Sequence, residues 1–154
     1  MSGALWLFLF LTGVVTATAA VAAALRKRLV LVTVVGVSMQ PAFQPGDRVL
    51  VRRGTVARAG NVVVVEQPST DGSPWPDPVT RPDVTGDRLG DRRWLVKRVA
   101  AEPGELWDSG TGAGSTVPPG HVALLGDNRR RSLDSRQLGP FPVERVLGSV
   151  VLRL

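Results

Sequence analysis

After Arg28 the chain is written almost wholly in short β-branched runs, each closed within a few residues by glycine, proline, aspartate or asparagine. Such punctuation leaves no room for a long amphipathic helix and predicts an all-β domain of short strands. LVLVTVV, RVLVRR, NVVVVEQ, RWLVKRVA, VALLG and VLGSVVLRL are the strand candidates. Between Pro68 and Arg93 the stretch PSTDGSPWPDPVTRPDVTGDRLGDRR can neither pair as a central strand nor hold a helix, and reads as a long inserted surface loop. SGTGAGSTVPPG, from Ser109 to Gly120, reads as a second loop. The whole chain, at 154 residues, is the size of one domain and large enough to bury a core without staples.

The N-terminus is written differently. Met1 to Leu25 carries no charged side chain, and ALWLFLFLTGVVTATAAVAAAL, from Ala4 to Leu25, has the length and polarity of a helix that crosses a bilayer. A cleavable signal peptide is the competing reading, because ATAAVAAA offers small residues at A-x-A spacing, but the basic region that should precede the apolar run is missing. The expected organisation is therefore a retained anchor and basic flank over 1–28, then a β domain over 29–154 with the 68–93 loop inserted. Arg26-Lys27-Arg28 follows the anchor directly, and the positive-inside rule taken alone would leave the β domain in the cytoplasm.

Composition excludes several chemistries. With no cysteine there is no disulfide, thiolate metal site or cysteine nucleophile, and one histidine, His121, makes no protein zinc site. No metal or other cofactor is expected. The net charge of +6 would suit nucleic acid or an anionic membrane surface. Of the 19 basic residues, however, only Lys27 and Lys97 are lysines, so the charge follows a chain-wide use of arginine. Nucleic acid is not an expected partner.

That habit singles out Lys97. In Trp94-Leu-Val-Lys-Arg-Val-Ala100 a period of two puts Leu95, Lys97 and Val99 on one face and turns Arg98 to the other. A lysine held between apolar neighbours loses hydration, which lowers its pKa and frees it to act as a base, something arginine cannot do. The ordinary alternative is a lysine whose stem covers apolar surface while its ammonium reaches water. Ser38, in GVSMQPAFQPGDRVLV, poses a matching choice. It leaves an apolar run at a proline-broken corner, where a hydroxyl either satisfies the backbone or is presented as a nucleophile to such a base. His121 follows a Pro-Pro-Gly turn without an orienting carboxylate, which suits a strand start better than a triad. The third polar segment, GDNRRRSLDSR from Gly126 to Arg136, mixes Asp127 and Asp134 with its arginines and offers no aromatic to stack a base. It reads as an internally paired loop.

Taken together these segments resemble the type I signal peptidase family, membrane-anchored serine peptidases with a Ser/Lys dyad. Four blocks carry the resemblance in the family's order: GVSMQPAFQPGDRVLV, GNVVVVEQP, WLVKRVAAEPGE and GDNRRRSLDSRQLGPFP. The resemblance implies a mostly-β, signal-peptidase-like barrel or sheet carrying one N-terminal transmembrane helix. It implies that Ser38 attacks the scissile carbonyl, that neutral Lys97 is the base, and that Ser132 orients the lysine. Asp134 and Arg136 match the ion pair that braces this loop, and Asp127 and Arg129 match its structural residues. The oxyanion hole would use the Ser38 N–H; Gly36, where some relatives carry a serine, permits close approach but supplies no side-chain donor. Ala42 stands where the family usually has threonine. Val34, Met39, Phe43, Leu95 and Val96 match the neighbourhood that lines the pockets for small substrate residues.

The expected function is removal of signal or leader peptides from precursor proteins, with cleavage after small residues, at the cell membrane and with the catalytic domain outside. Precursors and the lipid bilayer are the expected partners. Other readings are a maturation protease dedicated to one precursor, a self-cleaving repressor, which the lack of a DNA-binding helical domain disfavours, and a non-catalytic basic module anchored on a membrane.

Overall fold

The computed structural model describes residues 3–68, 92–110, 112 and 114–154. Helix α1 (Gly3–Arg28) is followed without a break by strand β1 (Leu29–Thr33). Strands β2 (Arg48–Arg53), β3 (Val62–Glu66) and β4 (Trp94–Ala101) come next, then a two-stranded ribbon of β5 (Leu106–Trp107) and β6 (Ser115–Thr116). Strand β7 (His121–Leu125), a short helix α2 (Ser135–Leu138), β8 (Phe141–Pro142) and β9 (Val146–Arg153) complete the chain, with single 3₁₀ turns at Arg129–Arg131 and Val143–Arg145. The domain is mostly β, as the punctuated runs predict.

Seven strands form one antiparallel sheet in the order β1-β2-β9-β3-β4-β7-β8. It is an open sheet with β1 and β8 at its edges, and not a closed barrel. The pairing slips at Leu50/Val51, Val64/Val65 and Val99/Ala101, and each slip bends the strand and adds twist, so the sheet curls. The uninterrupted valines of NVVVVEQ have a direct physical reason. β3 lies in the middle of the sheet and is buried throughout, so Val62–Val65 are apolar on both faces. Val63 and Val65 enter a core with Val99, Val122, Leu124 and Phe141, while Val64 enters a second core with Val34, Val49, Val51 and Leu147.

Several expectations need correction. The Ser109–Gly120 stretch is not all loop, because Ser115 and Thr116 pair with Trp107 and Leu106. Two-residue strands such as β6 and β8 carry too little periodicity to be read from sequence. The Pro68–Arg93 loop lies, from residue 69 to residue 91, outside the described residues; its neck is closed by the Gln67 N–H donating to the Arg93 carbonyl at 2.8 Å. A membrane-crossing helix is not borne out. Among the described residues no helix is long and apolar enough to cross a membrane. In α1, Trp6, Phe8 and Phe10 are all more than half exposed, so the helix presents a bare apolar surface.

Candidate active site

Ser38 sits in a loop tied at its neck. The Val34 N–H donates to the Asp47 carbonyl at 2.8 Å and the Gly46 N–H returns to the Val34 carbonyl at 2.9 Å. Between these ties Gly36 adopts φ +83°, a left-handed conformation open to glycine and strained for a β-branched residue, and this reverses the chain just before the serine. Met39, 1% exposed, pins the turn into the interior. Ser38 itself stays half-buried.

Lys97 arrives from β4. Leu95 and Val99, on the same face of the strand, pack into the first core, and the lysine between them is only 1% exposed. Its head does not reach water. The amine instead donates to the Ser132 hydroxyl, with Nζ 3.1 Å from Oγ. Burial drives the Lys97 pKa below its ordinary 10.5; the Asp134 carboxylate opposes this and the Arg136 guanidinium adds to it.

The loop from Gly126 to Arg136 is organised by Asp134, which is fully buried. Its carboxylate accepts from Arg136 Nε at 3.0 Å and Arg136 Nη2 at 2.9 Å, and from the Gly126 N–H at 3.0 Å. It also caps α2, in a reciprocal box with Gln137. Burial alone would raise the Asp134 pKa, but hydrogen bonds from Arg136, the Gly126 N–H and the Ser132 hydroxyl together hold it at about 2. It is therefore an anion near neutral pH.

Gly126 joins the pieces. A methyl group there would stand 2.6 Å from Ser132 Cβ and 2.7 Å from the Ser38 carbonyl oxygen, so only glycine lets Ser38 and Ser132 converge on this point. The Asn128 N–H donates to that same Ser38 carbonyl at 2.9 Å. The Ser38 loop, β4 and the 126–136 loop thus meet at one place. A hydrogen bond between the Ser38 hydroxyl and Lys97 is not among those of the described residues; such contacts commonly tighten only when substrate binds. Among the described residues the Ser38 N–H donates to no backbone carbonyl, which leaves it available to an oxyanion.

Beside Ser38 lies a cleft of about 240 Å³ lined by Val32–Val35, Met39 and Trp94–Val96. Val34, Met39, Leu95 and Val96 are in its wall. Phe43 is not; it packs on the second core with Arg153 6.0 Å above its ring. Asp127 does not pair with Arg129. Its carboxylate takes both Arg98 Nε and Nη2 at 2.8 Å, which locks the loop onto β4, while Arg129 stands 3.8 Å from Asp108 at the surface. His121 opens β7, its Nδ1 donating to the Pro119 carbonyl at 2.9 Å.

Two features escaped the sequence reading. Arg98 is half of the clamp on Asp127, and the only signal was its placement opposite Lys97 on the strand. Glu66, 3% exposed at the end of β3, holds Arg92 at 3.0 Å and Arg145 at 3.2 Å, a buried cluster whose members are spread over 79 positions and carry no local pattern.

Comparison with known proteins agrees with this geometry. Residues 6–107 and 106–154 match the sequence profile described as "Signal peptidase, peptidase S26". The chain is 30% identical over 128 residues to mitochondrial inner membrane protease subunit 1 of Schizosaccharomyces pombe, covering 77% of this chain and 69% of that protein. The mouse protein of the same name is 30% identical over 123 residues, covering 77% and 65%. Thylakoidal processing peptidase 1 of Arabidopsis thaliana is 51% identical over 37 residues, which is 24% of this chain and only 11% of that protein.

Proposed function

The chain belongs to the signal peptidase family, peptidase S26, and from that premise we propose that it is a serine endopeptidase that removes leader peptides with a Ser38/Lys97 dyad, cutting after small residues. The observation that carries this reading is the Lys97 amine, 1% exposed and donating to the Ser132 hydroxyl at 3.1 Å. Burial makes the neutral amine accessible, and a neutral amine is what a serine hydroxyl needs as its base.

The Ser132 hydroxyl accepts from Lys97 and helps to hold Asp134 low, so its own hydrogen is engaged toward the carboxylate. One Lys97 N–H is thereby oriented, and the amine lone pair is left for the Ser38 proton. Ser38 Oγ bonds to the scissile carbonyl carbon as its proton passes to Lys97 Nζ. The negative charge that develops on the carbonyl oxygen is met by the Ser38 N–H, a preorganised donor of the kind worth ~100-fold or more in rate. The Lys97 ammonium then gives its proton to the departing amine, leaving an ester on Ser38. Water, deprotonated by Lys97, attacks the ester carbonyl, and as the bond to Ser38 Oγ breaks the Lys97 ammonium returns its proton to that oxygen, releasing the leader with a free carboxyl group.

Substrate enters as an extended strand. Among the described residues β4 pairs with β3 from Trp94 to Arg98 and with β7 only from Arg98 onward. Among the same residues β1 is an edge strand. The main chain before the cut lies in the cleft between these segments, and its shallow walls admit small side chains. The bare apolar surface of α1 associates the enzyme with a bilayer, on the side where translocated leaders emerge.

A leader peptide with alanine one and three positions before the cut tests the proposal, with wild type, Ser38→Ala and Lys97→Arg compared in detergent. Cleavage by wild type alone is expected, because arginine keeps the charge but cannot become neutral near pH 7. Cleavage by Lys97→Arg, or its loss in His121→Ala, would overturn the dyad.

A further inference from the structure

The triple arginine is unused by this mechanism. Arg129, Arg130 and Arg131 form one exposed 3₁₀ turn between Asn128, whose N–H holds the Ser38 carbonyl, and Ser132, which holds Lys97. Three exposed arginines therefore occupy the single turn that joins these two contacts. Among the described residues their ion pairing is a single loose contact, Arg129 to Asp108 at 3.8 Å with both side chains more than half exposed. Asp127, the nearest carboxylate in the loop, is already neutralised by Arg98.

A second cleft gives this charge a place in the reaction. About 250 Å³ in volume, it is lined by Arg98, Ala100, Leu125, Gly126, Asp127 and Arg129. Along β4 the first cleft takes Trp94 to Val96, Lys97 marks the chemistry, and the second takes Arg98 and Ala100. Along the strand the two clefts thus take the residues before and after Lys97, and Gly126, whose α-carbon lies against Ser38 and Ser132, lines the second. If the chain before the cut fills the first cleft, the chain after it leaves over the second, beside the arginines.

We propose that Arg129, Arg130 and Arg131 dock an acidic segment of the precursor immediately after the cleavage point. This rests on the reading of the chain as a leader peptidase. Carboxylates of aspartate or glutamate are the matching chemistry, since each guanidinium offers a planar fork that takes a carboxylate in two hydrogen bonds. A peptide is favoured over lipid headgroups because the arginines lie between Asn128 and Ser132, which hold the Ser38 carbonyl and Lys97, and Arg129 lines the second cleft.

The test uses the full chain in a neutral detergent free of anionic lipid, and three leader peptides identical up to the cut. After it they carry two acidic, two neutral or two basic residues. The readout is the kcat/KM ratio of the acidic to the neutral peptide, for wild type and for Arg130→Gln/Arg131→Gln. Wild type should favour the acidic peptide roughly tenfold and disfavour the basic one, at the upper end for two exposed ion pairs. Raising salt to about 1 M, where the screening length falls to about 3 Å, should collapse the ratio toward one, and the double variant should show that collapsed ratio at low salt. Equal rates in wild type, or a preference that survives in the double variant, would overturn the proposal. So would a variant with an unchanged ratio that no longer sediments with anionic vesicles, which would assign the arginines to lipid. Failure of wild type to cleave any of the three peptides would instead sink the peptidase reading.

Discussion

Lys97 is among the largest fully buried side chains of the described residues, with Phe141 and Met39. An amine in that position costs stability whenever it is protonated, and the cost has a definite pH dependence. The folded pKa lies below the ordinary 10.5, so the unfolded chain binds the extra proton between the two values, and stability rises with pH across that window. Lys97→Met should therefore melt higher than wild type at neutral pH, with the gap closing as pH approaches 10.5; a constant gap measured by calorimetry would show that the amine carries no such penalty. Activity should follow the same proton. kcat/KM for a leader peptide should climb with pH through the lowered Lys97 pKa, and a profile that rises only near 10.5 would refute the desolvated base. Alternation along WLVKRVA was sufficient to place Leu95, Lys97 and Val99 on one face, because a strand's period of two is local. That the face is closed over the lysine depends on Ser132, 35 positions away.

The 126–136 loop behaves as one element because a single carboxylate ties its two ends. Asp134 joins the Gly126 N–H, the Arg136 guanidinium and the first turn of α2. Its pKa of about 2, against an ordinary 3.8, means that its contribution is present above pH 3.8 and is lost as pH falls through about 2. The shift corresponds to roughly 2 kcal/mol. Asp134→Asn should cost at least that at pH 7, because it leaves the Arg136 charge without its partner, and should remove most cleavage by releasing Ser132. Equal denaturant midpoints for variant and wild type at pH 7 would refute this role. The sequence GDNRRRSLDSR identifies the loop as internally paired, and the Asp134–Arg136 pair is as expected from the resemblance. The partner of Asp127 is different. Sequence proximity suggested a neighbour within the loop, whereas the guanidinium that fits the carboxylate comes from β4.

For the molecule as a whole, the organisation is an apolar helix running directly into the edge strand of a curled sheet. α1 leaves large apolar side chains in contact with solvent, more than any folded face of the sheet, so the full chain should co-sediment with lipid vesicles and should resist release by high salt. Recovery in the supernatant without detergent would contradict a membrane-bound enzyme. Strand content was readable in the linear chain, because hydrophobic periodicity and turn residues act over a few positions; the central place of NVVVVEQ was not. The edges of the sheet, the short strands β5, β6 and β8, and the buried Glu66 cluster were not. They depend on which distant segments become neighbours, and a two-residue strand is specified by its partner more than by itself. The site divides in the same way. Ser38 and Lys97 stand out in their local settings, each with an ordinary alternative beside the chemical one, and Ser132 follows only from the family resemblance. The convergence of Ser38 and Ser132 on Gly126, with Lys97 joined through Ser132, arises only when three chain segments fold around one α-carbon that has no room for a side chain.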